Sequence, residues 1–141
     1  MILLDTNVIS ELVKTQPNHA VLAYVDGVPP DTVFTADVCE AEISYAFARM
    51  PDGRKRNELI ACMTMFFETG FPDQVLRFDR ACAAIYGEIR SAREAAGKPI
   101  TVEDAMIAAT ARAYGVRAIA TRNIKDFADC GVTLVDPWLA C

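Results

Sequence analysis

A short apolar run, Met1-Ile2-Leu3-Leu4, stops at once against Asp5-Thr6-Asn7. Such a run is long enough for one strand of a parallel sheet. Those strands are buried on both faces and read as continuous apolar sequence rather than as alternation. The first polar residue after this one is a carboxylate. In open α/β sheets ligands gather outside the carboxyl ends of the strands, so Asp5 falls where a site residue is expected. The competing reading makes Asp5 the N-cap of the helix that follows.

The same kind of run recurs between helical patterns. Strands are predicted over residues 2–4, 33–36, 75–77, 118–120 and 132–135, and helices over 7–13, 20–25, 36–50, 54–68, 79–96 and 101–114. Pro51-Asp52-Gly53 separates the third helix from the fourth, Gly97 and Gly115 stop the last two, and Thr101 is placed to cap the helix that carries Asp104. Strands alternating with helices imply an α/β fold, with a central, mostly parallel five-stranded sheet between two helical layers. At 141 residues, 52% of them hydrophobic, the chain can build one core, and a single domain over 1–141 is expected. No apolar run is long enough for a bilayer, and no basic segment opens a secretory signal, so a cytoplasmic protein with no membrane contact is expected.

Five cysteines, Cys39, Cys62, Cys82, Cys130 and Cys141, are odd in number and form no CxxC pair. They argue against zinc and against a disulfide framework, and read as small helical thiols with Cys141 exposed. The net charge of −5 disfavours non-specific nucleic-acid binding. A metal cation bridging protein and phosphate removes that objection.

Two further acids stand out. On a helix over 36–50, Glu42 shares a face with Val38, Cys39, Tyr45 and Ala46, a mostly apolar set. An ionised carboxylate there needs a cation or hydrogen bonds to compensate it. Asp104 has Ile100, Thr101, Ile107, Ala108 and Ala111 as helical neighbours. Separately, Glu42 could be half of an internal ion pair and Asp104 a capping-box acid; a shared divalent metal accounts for Asp5, Glu42 and Asp104 together. Hard oxygen ligands suit Mg²⁺ or Mn²⁺. If the first and fourth strands are neighbours, Thr121 and Asn123 lie beside Asp5, and Asp126 can reach the same region or remain a surface acid. Arg122 is the best placed cation for a substrate phosphate. Arg54, Lys55 and Arg56 either join it or form a solvated helical face. His19 is the only histidine, which closes any chemistry built on a pair of histidines and the nucleophile triads.

These residues resemble a known family. Asp5-Thr6-Asn7 after a strand, Glu42, Asp104 within Thr101-Val102-Glu103-Asp104-Ala105-Met106-Ile107, Ala120-Thr121-Arg122-Asn123 and the closing Val135-Asp136-Pro137-Trp138 together resemble the PIN domain, in particular the VapC and FitB-like toxins of bacterial toxin–antitoxin pairs. The resemblance covers nearly the whole chain. It implies a PIN-like three-layer α/β/α fold and an Mg²⁺- or Mn²⁺-dependent endoribonuclease. Asp5, Glu42 and Asp104 match the catalytic and metal-binding acids, and Thr6, Asn7 and Thr121 match supporting positions. It also implies a homodimer and a cognate antitoxin, with an antitoxin arginine competing for the acids. The family often has a fourth acid where this chain has Asn123, and Asp126 is the candidate to compensate. One tightly held ion, with a second brought by the substrate, is therefore expected.

Other small α/β folds carry acidic pockets. A receiver-type domain needs paired acids after the first strand and a phospho-accepting Asp after the third, for which Asp79 is the candidate. A dehalogenase-like phosphatase needs D-x-D where this chain has Asp5-Thr6-Asn7. A catalytically idle acidic-pocket binding module is the remaining alternative.

Overall fold

The computed structural model describes residues 1–140, so the expectation for Cys141 lies outside the described residues. The chain runs β1 (Ile2–Leu4), α1 (Thr6–Leu12), α2 (His19–Asp26), β2 (Val33–Ala36), α3 (Asp37–Arg49), α4 (Arg54–Met65), β3 (Val75–Leu76), α5 (Arg80–Ala95), α6 (Val102–Ala113), β4 (Ala118–Ala120), α7 (Ile124–Phe127) and β5 (Thr133–Val135). A single π turn, Phe66–Gly70, continues α4. Two elements were not expected: the 3₁₀ turn Pro30–Thr32 and the four-residue α7. Both are too short to carry a periodic signal.

All strand pairings are parallel, in the order β3-β2-β1-β4-β5. The sheet is thus wholly rather than mostly parallel. Leu3 faces Ile119 and Leu4 faces Ala120 across the β1–β4 pair. Successive strand residues point to opposite faces, yet Ile2, Leu3 and Leu4 are all buried. Helices therefore cover both faces of the sheet. Ile107, Ala108 and Ala111 of α6 and Val8 and Ile9 of α1 are buried in the same core.

Helix starts are set by side chains that accept otherwise unpaired backbone N–H groups. Asn18 caps α2, Asp79 caps α5 through the Cys82 N–H, and Thr101 caps α6 through the Asp104 N–H. Gly97 and Gly115, at φ 73 and φ 66, take the left-handed turns after α5 and α6. Among the described residues no helix is long and apolar enough to cross a membrane. The chain enters at the central strand β1, fills β2 and β3 to one side, then returns to β4 and β5 on the other. The switch point, where such sheets open a crevice, lies between β1 and β4.

Candidate active site

Asp5 sits in that crevice. Its backbone N–H donates to the Ala120 carbonyl at 3.0 Å, continuing the β1–β4 ladder by one residue. Its side chain is only 3% exposed and is held from three directions. Oδ1 accepts the Thr6 N–H at 2.8 Å, while Oδ2 accepts the Thr121 hydroxyl at 2.7 Å and the Asn7 amide at 2.9 Å. The N-cap reading of Asp5 is correct as well: one oxygen caps α1 and the other faces the crevice. Burial raises the Asp5 pKa; the hydrogen bonds from Thr121, Thr6 and Asn7 oppose that rise, and the Asp126 charge adds to it.

The supporting polar residues form one network. Asn7 donates to Asp5, approaches the Thr121 hydroxyl at 3.4 Å, and accepts the Arg122 N–H through Oδ1 at 3.1 Å. Thr121, fully buried, also accepts the Asn123 N–H at 3.0 Å. Thr6 turns the other way and donates its hydroxyl to Glu42 Oε1 at 2.9 Å. We expect Thr121→Val, which keeps the shape and removes the hydroxyl, to destabilise the fold by roughly 1–3 kcal/mol. It should also weaken divalent-ion binding on the order of tenfold to a hundredfold. Calorimetric titration with Mn²⁺ is the measurement, and an unchanged affinity would remove Thr121 from the site.

Glu42 and Asp104 both lie within electrostatic reach of Asp5. Burial is the first cause of a raised Glu42 pKa, opposed by the Thr6 hydroxyl and reinforced by Asp5, Asp104 and Glu103. Asp104 is pushed up to about 6, again first by burial, with Thr101 opposing and Asp5, Asp126 and Glu103 reinforcing. Glu42 thus feels Asp5 and Asp104, Asp104 feels Asp5, and Asp126 acts on both Asp5 and Asp104. The helical face assigned to Glu42 is only half apolar: Val38 and Cys39 are buried, but Tyr45 is 64% exposed. Glu42 stands on the border between core and solvent, where a ligand could reach it. Asn123 is exposed at the start of α7. Glu103 was not anticipated, although its position beside Asp104 in the first turn of α6 was the available signal.

The donor set fits a hard divalent cation. Carboxylates that raise one another's pKa are those a cation would relieve. Among the described residues no three His, Cys, Asp or Glu side chains are grouped closely enough to hold an ion as they stand. Mg²⁺ keeps several waters and takes one or two carboxylates directly. The donors therefore suit an ion held partly through water.

The basic residues divide into two groups. The exposed Arg122, two residues past the end of β4, has its guanidinium over the Trp138 ring, 4.7 Å from its centroid. Trp138 was noted only for its place in the closing segment, and its contact with Arg122 has no sequence signal. On α4, Arg54 pairs with Glu58 at 2.8 Å and Arg56 with Asp52 at 3.1 Å, while Lys55 is exposed.

The receiver-type alternative does not fit this sheet. β3 is the outermost strand, so Asp79 lies two strand positions from Asp5. Asp79 caps α5 and accepts the Tyr114 hydroxyl at 3.0 Å, and these bonds, the Cys82 N–H foremost, hold its carboxyl below the usual range.

These features define a small all-parallel α/β protein with an acid cluster at the switch point of its sheet. The PIN domain family model matches residues 2–131, and the chain belongs to that family. Toxin FitB of Neisseria gonorrhoeae is 38% identical over 138 residues, covering 98% of this chain and 99% of that protein. VapC ribonuclease Y4jK of Sinorhizobium fredii is 36% identical over 138 residues, covering 98% of each. A chain in the structure of FitAB bound to an IR36 DNA fragment superposes with a TM-score of 0.88 at 38% identity, over 98% of this chain and 96% of that one.

Proposed function

We propose that this protein is a divalent-metal-dependent endoribonuclease and the toxin of a toxin–antitoxin pair. The reading is carried by the placement of Asp5 at the carboxyl end of β1, with its neighbour Thr6 bonded to Glu42 and with its charge felt by both Glu42 and Asp104. Similarity to proteins named toxin and ribonuclease supports it.

Asp5, Glu42 and Asp104 would hold Mg²⁺ or Mn²⁺, with Asp126 beside them. When bound, the ion neutralises charge at the scissile phosphate and lowers the pKa of an attacking water. Thr6, Asn7 and Thr121 keep the Asp5 carboxylate oriented. Arg122, held flat by Trp138, offers a guanidinium to a phosphate of the substrate. Asn123 is neutral and adds no charge in the fourth position, which supports one resident ion rather than two. Hydrolysis then breaks one phosphodiester P–O bond as water adds to phosphorus.

The partner would be an antitoxin. A groove between α3 and α4, lined by Ile43, Phe47, Met63 and Phe67 together with the acids Glu40 and Glu68, runs along the helix that carries Glu42. An antitoxin segment seated there could place an arginine over the acids, within a complex built on a homodimer of this chain. Near this groove Met63 and Phe71 belong to the core, whereas Met65 is 67% exposed.

The test is a gel assay of RNA with and without Mn²⁺. Cleavage that needs the ion is the expected result. RNA bound but uncut would favour an idle binding module, and cleavage undiminished by a chelator would reject the metal. Replacing Arg54, Lys55 and Arg56 by glutamine should lower RNA affinity and flatten its salt dependence by roughly 0.7 per lost phosphate contact. An unchanged slope would assign the three to a solvated face.

A further inference from the structure

Among the described residues the guanidinium of Arg93 is the one buried cation, and nothing in the site described so far uses it. Arg93 belongs to α5 and is 5% exposed. Among the described residues no carboxylate pairs with it. Its partners are backbone carbonyls. Nε donates to the Lys98 carbonyl at 2.7 Å, and Nη1 donates to the carbonyls of Asp126 and Ala128 at 2.9 and 2.8 Å. Nη1 also approaches Cys130 Sγ at 3.6 Å.

Those carbonyls belong to two segments that each carry an acid of the site. Lys98 lies in the turn that leads to Thr101 and the first turn of α6, where Asp104 sits. Asp126 and Ala128 are at the carboxyl end of α7, whose free carbonyls and dipole favour a cation. A helix of four residues cannot hold its own shape in water. The loop after it includes Asp129 at φ 60, so its course is not set by ordinary backbone preference. An apolar side chain would fill this space without desolvating a charge. The charge is kept where two backbone segments must be tied together.

We propose that Arg93 is a positioning residue that holds the Asp104 and Asp126 segments at the separation the cation site requires. The proposal rests on the metal-site reading above. Arg93 touches neither ion nor substrate and acts through the backbone carbonyls of Lys98, Asp126 and Ala128. Lysine in its place keeps the charge but lacks the planar fork that spans both segments.

The experiment measures Mn²⁺ affinity by calorimetry and amide hydrogen exchange over residues 124–128, on the full chain, for wild type, Arg93→Lys, Asp126→Asn and the double variant. Arg93→Lys should weaken Mn²⁺ binding on the order of tenfold or more and speed exchange in α7. The double variant should lose less affinity than the sum of the two single losses, because part of the effect of Arg93 is exerted through Asp126. Additive losses, or Arg93→Lys with wild-type affinity, would overturn the inference. If Arg93→Lys does not fold, the wild-type Arg93 Nε–H NMR resonance supplies the reading. It should shift on Mg²⁺ titration and stay still in Asp126→Asn; no shift in wild type overturns the inference. Wild-type protein that binds no Mn²⁺ would overturn the nuclease reading and this inference together, whereas an effect confined to the variants bears on Arg93 alone.

Discussion

Asp5→Asn is expected to lower Mn²⁺-dependent RNA cleavage by roughly a hundredfold to a thousandfold, the scale seen when one element of a preorganised electrostatic site is removed. The same substitution should change the stability of the fold little, because relief of a buried charge offsets the bonds from Thr121 and Asn7 that the amide nitrogen cannot accept. Asp5 is 3% exposed, and burial raises its pKa above the ordinary carboxylate value. Its ionisation therefore works against folding at neutral pH. The amide removes that charge while keeping an oxygen for the Thr6 N–H, so the helix cap survives. Cleavage assays beside thermal scans give both halves of the result. Loss of activity accompanied by unfolding would mean that Asp5 is only a structural cap, and retained activity would remove it from the chemistry.

The second large effect is that of the ion on stability. Mn²⁺ at a hundred times its dissociation constant should add about 2.7 kcal/mol. For a chain of this size that is a rise of roughly 5–10 °C in Tm. EDTA should reverse the rise and stop cleavage. The effect should depend on pH in a definite direction. Asp104 is raised to about 6 in the folded protein, first by burial and then by Asp5 and Asp126. A folded pKa above the unfolded one gives stability that is complete below the ordinary carboxylate value of 3.8 and is lost as pH rises through about 6. At pH 7 the ion-free protein has lost that contribution and Mn²⁺ takes the place of the protons. At pH 5 protons and Mn²⁺ compete, so the rise in Tm should shrink. Equal shifts at pH 5 and pH 7, or none at pH 7, would contradict a carboxylate cation site.

Much of this arrangement was legible in the chain. Asp5 could be placed because a parallel strand is short and wholly apolar, so the first polar residue marks its carboxyl end. Thr121 followed from the adjacency of β1 and β4, which the structure bears out at the Leu4–Ala120 register. Asp104 followed from its cap, Thr101. Glu42 was legible in part: periodicity found a face, but could not tell that Tyr45 at one end of it is open to solvent. Arg93 was not legible. It reads as a polar residue within Ser91-Ala92-Arg93-Glu94, and its burial depends on α7, which has no periodicity of its own. The stacking of Arg122 on Trp138 depends likewise on how the last segment folds back, a long-range event that no local pattern records.

The clasp between Asn7 and Thr121 joins positions 114 residues apart. A nascent polypeptide therefore emerges with its first carboxylate in place long before the partner that orients it has been translated. On the proposed reading, a copy still being made would lack the hydroxyl that orients Asp5 and would leave RNA uncut. The enzyme proposed here becomes competent only when the final strands have docked, and an antitoxin need capture only finished molecules.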